Sequence, residues 1–131
     1  MQGIPQSMEV NVAYNKWRDS GITSYSFKIA LRHCECDGRT YEVFVVNNAV
    51  KTVKTAEGYI FSNKDSRFET IDKLFEVIIS ALNKNPYAAQ ITYNPSYGFP
   101  VDVYIDLNQL MADEEIGFEI RDFKKQKSHS L

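Results

Sequence analysis

The chain alternates twice between a helical and a strand-like hydrophobic period. Over residues 5–20, Val10, Ala13, Tyr14 and Trp17 share one face at helical spacing. This predicts a first helix, with Pro5 in an early helical position and Asp19-Ser20-Gly21 as its stop. From Ser24 the period falls to two. Tyr25, Phe27, Ile29 and Leu31 alternate with Ser24, Ser26, Lys28, Ala30 and Arg32, a half-buried strand with its odd positions inward. Asp37-Gly38 reads as a hairpin turn. Residues 41–46 form a second strand, apolar enough at Val43, Phe44, Val45 and Val46 to be central. Asn47-Asn48 turns the chain into a third strand at 50–55.

A loop over 56–65, with Gly58, Asn63 and Asp65, leads into the strongest helix, about 66–84. Its stripe is Ile71, Leu74, Phe75, Ile78, Ile79 and Leu82. Two starts fit: a capping box of Ser66 with Glu69, or a Thr70 cap with Asp72 near the positive end of the dipole. Asn83-Lys84-Asn85-Pro86 stops it. A fourth strand follows at 88–93, then a long turn, Asn94-Pro95-Ser96-Tyr97-Gly98-Phe99-Pro100. Val101, Val103, Ile105 and Leu107 next alternate with Asp102, Tyr104 and Asp106. After a turn opened by Asp113-Glu114-Glu115, Phe118, Ile120 and Asp122 alternate with Glu119, Arg121 and Phe123.

The expectation is an α+β fold: an antiparallel meander with helices packed on one face, in the order α-β-β-β-α-β-β-β. Residues 1–123 form the single domain and 124–131 a polar, frayed tail. The two halves share this order of elements without shared sequence.

Composition narrows the function classes. The 131 residues are 44% hydrophobic and 13% aromatic, enough for a core without metal or staples. A net charge of −2 draws the chain to neither nucleic acid nor an anionic membrane. The longest apolar-rich stretch, 71–82, is broken by Asp72, Lys73 and Glu76, so no membrane span is expected. The start, Met1-Gln2-Gly3-Ile4-Pro5, lacks the basic and apolar regions of a signal peptide. The protein therefore stays inside the cell or begins after a removed signal.

Several segments taken in order carry a resemblance: Trp17; Ile22-x-Ser24-Tyr25-x-Phe27; Cys34-x-Cys36; Thr70-Ile71-x-x-Leu74-Phe75; Tyr93-Asn94-Pro95-x-Tyr97-Gly98-Phe99-Pro100; Ile105-Asp106; Asp113-Glu114-Glu115. The chain resembles a family of small, mostly bacterial extracytoplasmic proteins, often lipoproteins, known only as a domain of unknown function. The likeness runs from about Trp17 to Phe123. It implies export and assigns no activity. The lipid-attachment cysteine of such proteins is not seen at the front of this chain.

Few residues offer chemistry. Cys34 and Cys36 are the only cysteines and lie two positions apart on one strand face. Their Cα atoms would be roughly 6.5 Å apart in an ideal strand, near the upper limit for a disulfide, which a bulge at Cys36 would shorten. A local disulfide and two reduced thiols both stand open. His33, Cys34, Cys36 and Asp37 are crowded enough to ligate a metal. Yet a regular strand turns His33 away, and the second ligand pair of a structural zinc site is missing. Neither a C-x-x-C motif nor a following helix N-terminus activates a thiol. His33 reads as a strand-end residue, and His129 lies in the tail. No serine elbow or phosphate loop is present, and no cofactor is called for.

Among the carboxylates, Asp102 and Asp106 share a strand side about 13 Å apart, beyond the roughly 5–9.5 Å of paired glycosidase acids. Asp113-Glu114-Glu115 lacks the pattern of a calcium loop. In the turn at 93–100, Tyr93, Tyr97 and Phe99 surround two prolines and a glycine. These aromatics either plug the end of the sheet or form a recognition edge that Tyr104 extends.

The expected function is a non-catalytic binding module for a protein or small ligand, using the exposed sheet face and the turn. Its site residues are Tyr93, Tyr97, Phe99, Asp102, Tyr104 and Asp106. The alternative is a small metal- or thiol-dependent enzyme centred on His33, Cys34 and Cys36. A third reading, a structural or inhibitory partner, predicts the same exposed patch.

Overall fold

Burial, capping and turn chemistry agree on where each element starts and stops. A computed structural model describes residues 5–32, 39–55, 57–58, 60–61, 68–108 and 115–126. Helix α1 (Gln6–Asp19) starts after Pro5, whose carbonyl accepts from the Met8 and Glu9 amides. Its buried face is Val10, Ala13 and Trp17, and Gly21 follows it at φ +69°. Strands β1 (Tyr25–Arg32), β2 (Thr40–Val46) and β3 (Ala49–Thr55) come next, with a two-residue β4 (Ile60–Phe61) beyond them. Asn47 and Asn48 both take positive φ, 51° and 65°, the conformation a tight hairpin between β2 and β3 demands.

Helix α2 (Ile71–Leu82) uses the Thr70 cap: the Thr70 hydroxyl oxygen accepts from the Lys73 amide at 3.2 Å. Ser66 lies outside the described residues. A second free amide, that of Ile71, donates to the buried Tyr25 hydroxyl at 2.8 Å. Strands β5 (Ala88–Tyr93), β6 (Pro100–Asp106) and β7 (Glu115–Lys125) complete the chain. The pairing of β7 runs through Lys125, two residues past the expected domain end, and the Gln126 amide still donates to the Ser24 carbonyl at 3.0 Å.

The expected topology needs correction. The order of elements is α-β-β-β-β-α-β-β-β. Nor is the sheet one sequential meander: its strand order is β4-β3-β2-β1-β7-β6-β5. Two antiparallel meanders meet where the last strand pairs with the first, Leu31 opposite Phe118 and Ile29 opposite Ile120. This follows from burial. The inward residues of β1 and β7 pack beneath the helices, Tyr25 and Phe123 against Trp17 and Tyr25 against the start of α2. β2 lies inside the sheet between β3 and β1 with Val43 and Val45 buried, while its outward residue Val46 is 39% exposed.

Three β-bulges break the simple alternation. In β7, Lys28 pairs with Arg121 and Ser26 with Lys124, which leaves two residues, Asp122 and Phe123, opposite Phe27. Asp122 takes φ +52° and is exposed. Phe123 turns into the core, where its ring lies 4.5 Å from that of Phe99 and 5.7 Å from that of Tyr25. The expected faces of these two residues are thus exchanged. Lys51 is the extra residue in β3, between pairs Phe44–Thr52 and Val45–Val50, and Val101 is the extra residue in β6.

Both helices cover the face that carries Tyr25, since that side chain touches Trp17 of α1 and the start of α2. Trp17 is the hub. Its ring meets Tyr25 at 5.2 Å, Phe99 at 6.2 Å and Phe123 at 5.8 Å, and its indole N–H donates to the Asp72 carboxylate on α2. Tyr14 stacks on Phe75 at 4.6 Å beside this contact. At the edge of the sheet, the Gln6 side-chain amide donates to the Ala89 carbonyl of β5 at 3.2 Å.

Two expected outcomes follow from this packing, both measurable by urea unfolding. Trp17→Ala empties a site joining four elements and leaves Asp72 without its donor, so it lowers stability by about 3–5 kcal/mol. Gly98→Ala costs more than Gly21→Ala. Both glycines have positive φ, but a Cβ at Gly21 meets open space, whereas one at Gly98 collides with the Ala13 carbonyl oxygen. We expect about 1 kcal/mol for Gly21 and at least about 2 for Gly98.

Candidate functional site

With both helices on one face, no helix covers the other face among the described residues, and the residues expected to bind divide between the two. Within the turn, the Asn94 carboxamide oxygen accepts from the Ser96 and Tyr97 amides at 2.9 and 2.8 Å. The Lys16 ammonium donates to the Pro95 carbonyl at 2.9 Å, so α1 clamps the turn. Gly98 lies against the α1 backbone. Phe99, 4% exposed, packs on Trp17 and Phe123. Tyr97 is half-buried against Phe123, and Tyr93 stacks parallel to Phe75 at 6.3 Å. The aromatic turn is thus packed against α1 and the Trp17 cluster. Burial pushes the Tyr93 phenol up to about 12, with help from the Glu9 charge, and its hydroxyl has no hydrogen-bond partner among the described residues.

Asp102, Tyr104 and Asp106 lie on the outer side of β6. Asp102 is exposed opposite Glu119. Tyr104 sits opposite the buried Gly117. Its phenol is held above the ordinary value, first by desolvation and then by Glu115 and Asp106. Asp106 is only 9% exposed, and its carboxylate accepts from the Asn108 amide at 3.1 Å, closing the strand end. This places four carboxylates, of Asp102, Asp106, Glu115 and Glu119, along the β6–β7 side of the outer face, Asp102 opposite Glu119 and Asp106 opposite Glu115. Glu119 is neutralised by Arg32 at 3.0 Å and Arg121 at 2.6 Å, and Lys28 meets Asp122 at 3.3 Å. These pairs are mostly exposed and fix geometry more than they stabilise.

The opposite end of the outer face was not marked by the motif reading. There Phe44, Val46, Lys51, Thr52 and Lys54 line an open groove of about 670 Å³ together with Ser24 and Gln126. A signal for it exists in the sequence. Inward valines at 50 and 53, spaced by three rather than two, reveal the bulge that frees Lys51.

His33, Cys34, Cys36, Asp37, Asp113 and Glu114 lie outside the described residues. Among the described residues no group of three or more His, Cys, Asp or Glu side chains is placed to hold a metal. No helix there is long and apolar enough to cross a membrane.

The fold and its open face define a small α+β domain with a one-sided antiparallel sheet. The chain belongs to DUF6174, a family of unknown function, which matches residues 9–125. No curated protein and no solved structure matches it.

The buried phenols set an alkaline limit. In the unfolded chain a tyrosine ionises near pH 10, whereas folded Tyr93 holds its proton to about 12. Burial shifts Tyr25 in the same direction. Protons therefore leave the unfolded state first. The contribution to stability is complete below pH 10 and is lost as the pH rises from 10 through 12. Urea unfolding across that range is expected to show falling stability. Tyr93→Phe flattens the fall and shifts neutral-pH stability by no more than about 1 kcal/mol, because the lost hydroxyl has no partner to forfeit.

Proposed function

We propose that this chain is a non-catalytic binding module whose recognition surface is the outer face of the sheet. One observation carries the reading. Asp102 and Tyr104 on β6 stand at one margin of the outer face and Lys51 and Lys54 beside Phe44 at the other, with Glu42 opposite Lys54 and the ion pairs of Glu119 with Arg32 and Arg121 and of Lys28 with Asp122 between them; among the described residues no helix lies over this face. A face whose two margins differ in chemistry meets a complementary partner in one orientation. Asp102 and Tyr104 are the accessible members of the acidic end. Tyr93, Tyr97 and Phe99 contribute by holding the turn rigid beside it, so that binding costs little ordering. Asp106 closes the strand that presents them.

The partner is a protein or small ligand. The extracytoplasmic setting implied by the family resemblance is part of the same proposal. Intact mass after thiol alkylation reports on it: oxidised Cys34 and Cys36 in protein recovered from its own host support an exporting route, and two alkylated thiols oppose it.

The surface itself is tested with two photocrosslinking variants, one carrying the probe at Asp102 and one at Glu76 on the exposed side of α2, each mixed with extract of the source organism. Crosslinking to one defined species from position 102 and not from 76 is expected. The same species captured from 76, or chemical turnover of the captured molecule, overturns the reading.

A further inference from the structure

The groove at the β2–β3 end differs in its charge from the cavities beside α2 and around Glu119. It joins a second cavity of about 380 Å³ through the shared residues Thr23, Ser24 and Gln126, and that second cavity adds Lys125. Three lysines thus line one continuous trough, and among the described residues no aspartate or glutamate lines it. In a chain of net charge −2 this is not the default. The cavity between Lys28 and Arg121 contains Glu119, and the one beside α2 contains Glu69 and Glu76. Lys51 and Lys54 form no ion pair among the described residues. Glu42, the cross-strand partner of Lys54, is the nearest acid by register and does not line the trough.

The floor is rigid. The Asn48 amide donates to the Thr23 carbonyl at 2.8 Å, the Asn47 amide to the Ser24 hydroxyl oxygen at 3.0 Å, and the Gln126 amide to the Ser24 carbonyl at 3.0 Å. Because the Ser24 oxygen accepts, its proton is available to donate into the trough. The Lys51 bulge adds a cation that a regular strand would not place there. One wall is apolar: the half-buried Phe44, with the Lys54 ammonium 5.0 Å above its ring, and the exposed Val46.

From these features we infer that the trough is a binding site for a small organic anion. Its acid group sits between Lys51, Lys54 and the Ser24 hydroxyl, and its apolar body lies against Phe44 and Val46. This deepens the binding-module reading and rests on it. The paired ammonium groups supply charge, the hydroxyl gives direction, and the apolar wall selects against inorganic anions.

The test is a titration of the ¹⁵N-labelled protein with 2-naphthoate, followed by amide shifts, beside parallel titrations with 2-naphthalenemethanol and inorganic phosphate. Naphthoate is expected to move the amides of Ser24, Asn47, Thr52 and Gln126, and to bind about tenfold or more tightly than either control. Lys51→Gln with Lys54→Gln is expected to weaken it by about tenfold or more, while Lys84→Gln just past the end of α2 leaves it unchanged; unaltered spectra elsewhere show that each variant is folded. Equal binding of the alcohol, equal binding of phosphate, or no loss in the double variant overturns the site. Amide shifts confined to the β6–β7 end overturn the trough yet leave the wider outer-face reading standing. Shifts confined to the helical side overturn both.

Discussion

The hinge of the structure is the contact between the sheet and the start of α2, made by two aromatic side chains from earlier in the chain. Tyr25 receives the first free amide of α2 on its hydroxyl, and Trp17 donates its indole proton to Asp72 one residue later. The first is a buried polar bond, where an unmet partner costs most, and the second is partly buried beside it. They fix where α2 begins and how α1 lies beside it. Once those two positions are set, Phe99 and Phe123 have one place to go, and the turn at 94–99 is drawn against α1. Among the described residues neither helix reaches the opposite face of the sheet as a consequence.

Much of this was legible in the pattern of residues. The two helices, the six long strands and the Asn47-Asn48 hairpin rest on local chemistry that a short window contains, whereas the cap of α2 stayed open between Ser66 and Thr70 until the Thr70 hydroxyl was seen to accept from the Lys73 amide. The pairing of β7 with β1 was not legible, because no local rule states which strand of a later meander joins an earlier one; shared cover beneath the helices decides it. The two-residue β4 has too little pattern to stand out from a loop. The exchange of Asp122 and Phe123 was hidden because strict alternation was assumed, although the three-residue spacing from Ile120 to Phe123 carries the bulge in plain view.

The candidate site divides in the same way. Asp102 and Tyr104 follow from alternation along β6, and the structure puts them on the open face. The aromatics of the turn are a composition signal, and composition alone does not distinguish a plug from a platform; Gly98 against the Ala13 carbonyl supplies the packing answer. The lysine trough depends on segments distant in sequence, Ser24, Lys51 and Gln126, meeting through main-chain bonds. Only the bulge at Lys51 announces itself along the chain.

The seam at the middle of the sheet has a bearing on how the protein comes into being. Tyr25 is paired with Lys125, so the innermost ladder joins the beginning of the sheet to its end. Neither meander can bury its inner edge before the other exists. A chain still emerging from the ribosome, or still threading through a narrow passage, has no half that closes by itself. Folding waits for the last strand and then proceeds as a single slow, cooperative event governed by distant contacts.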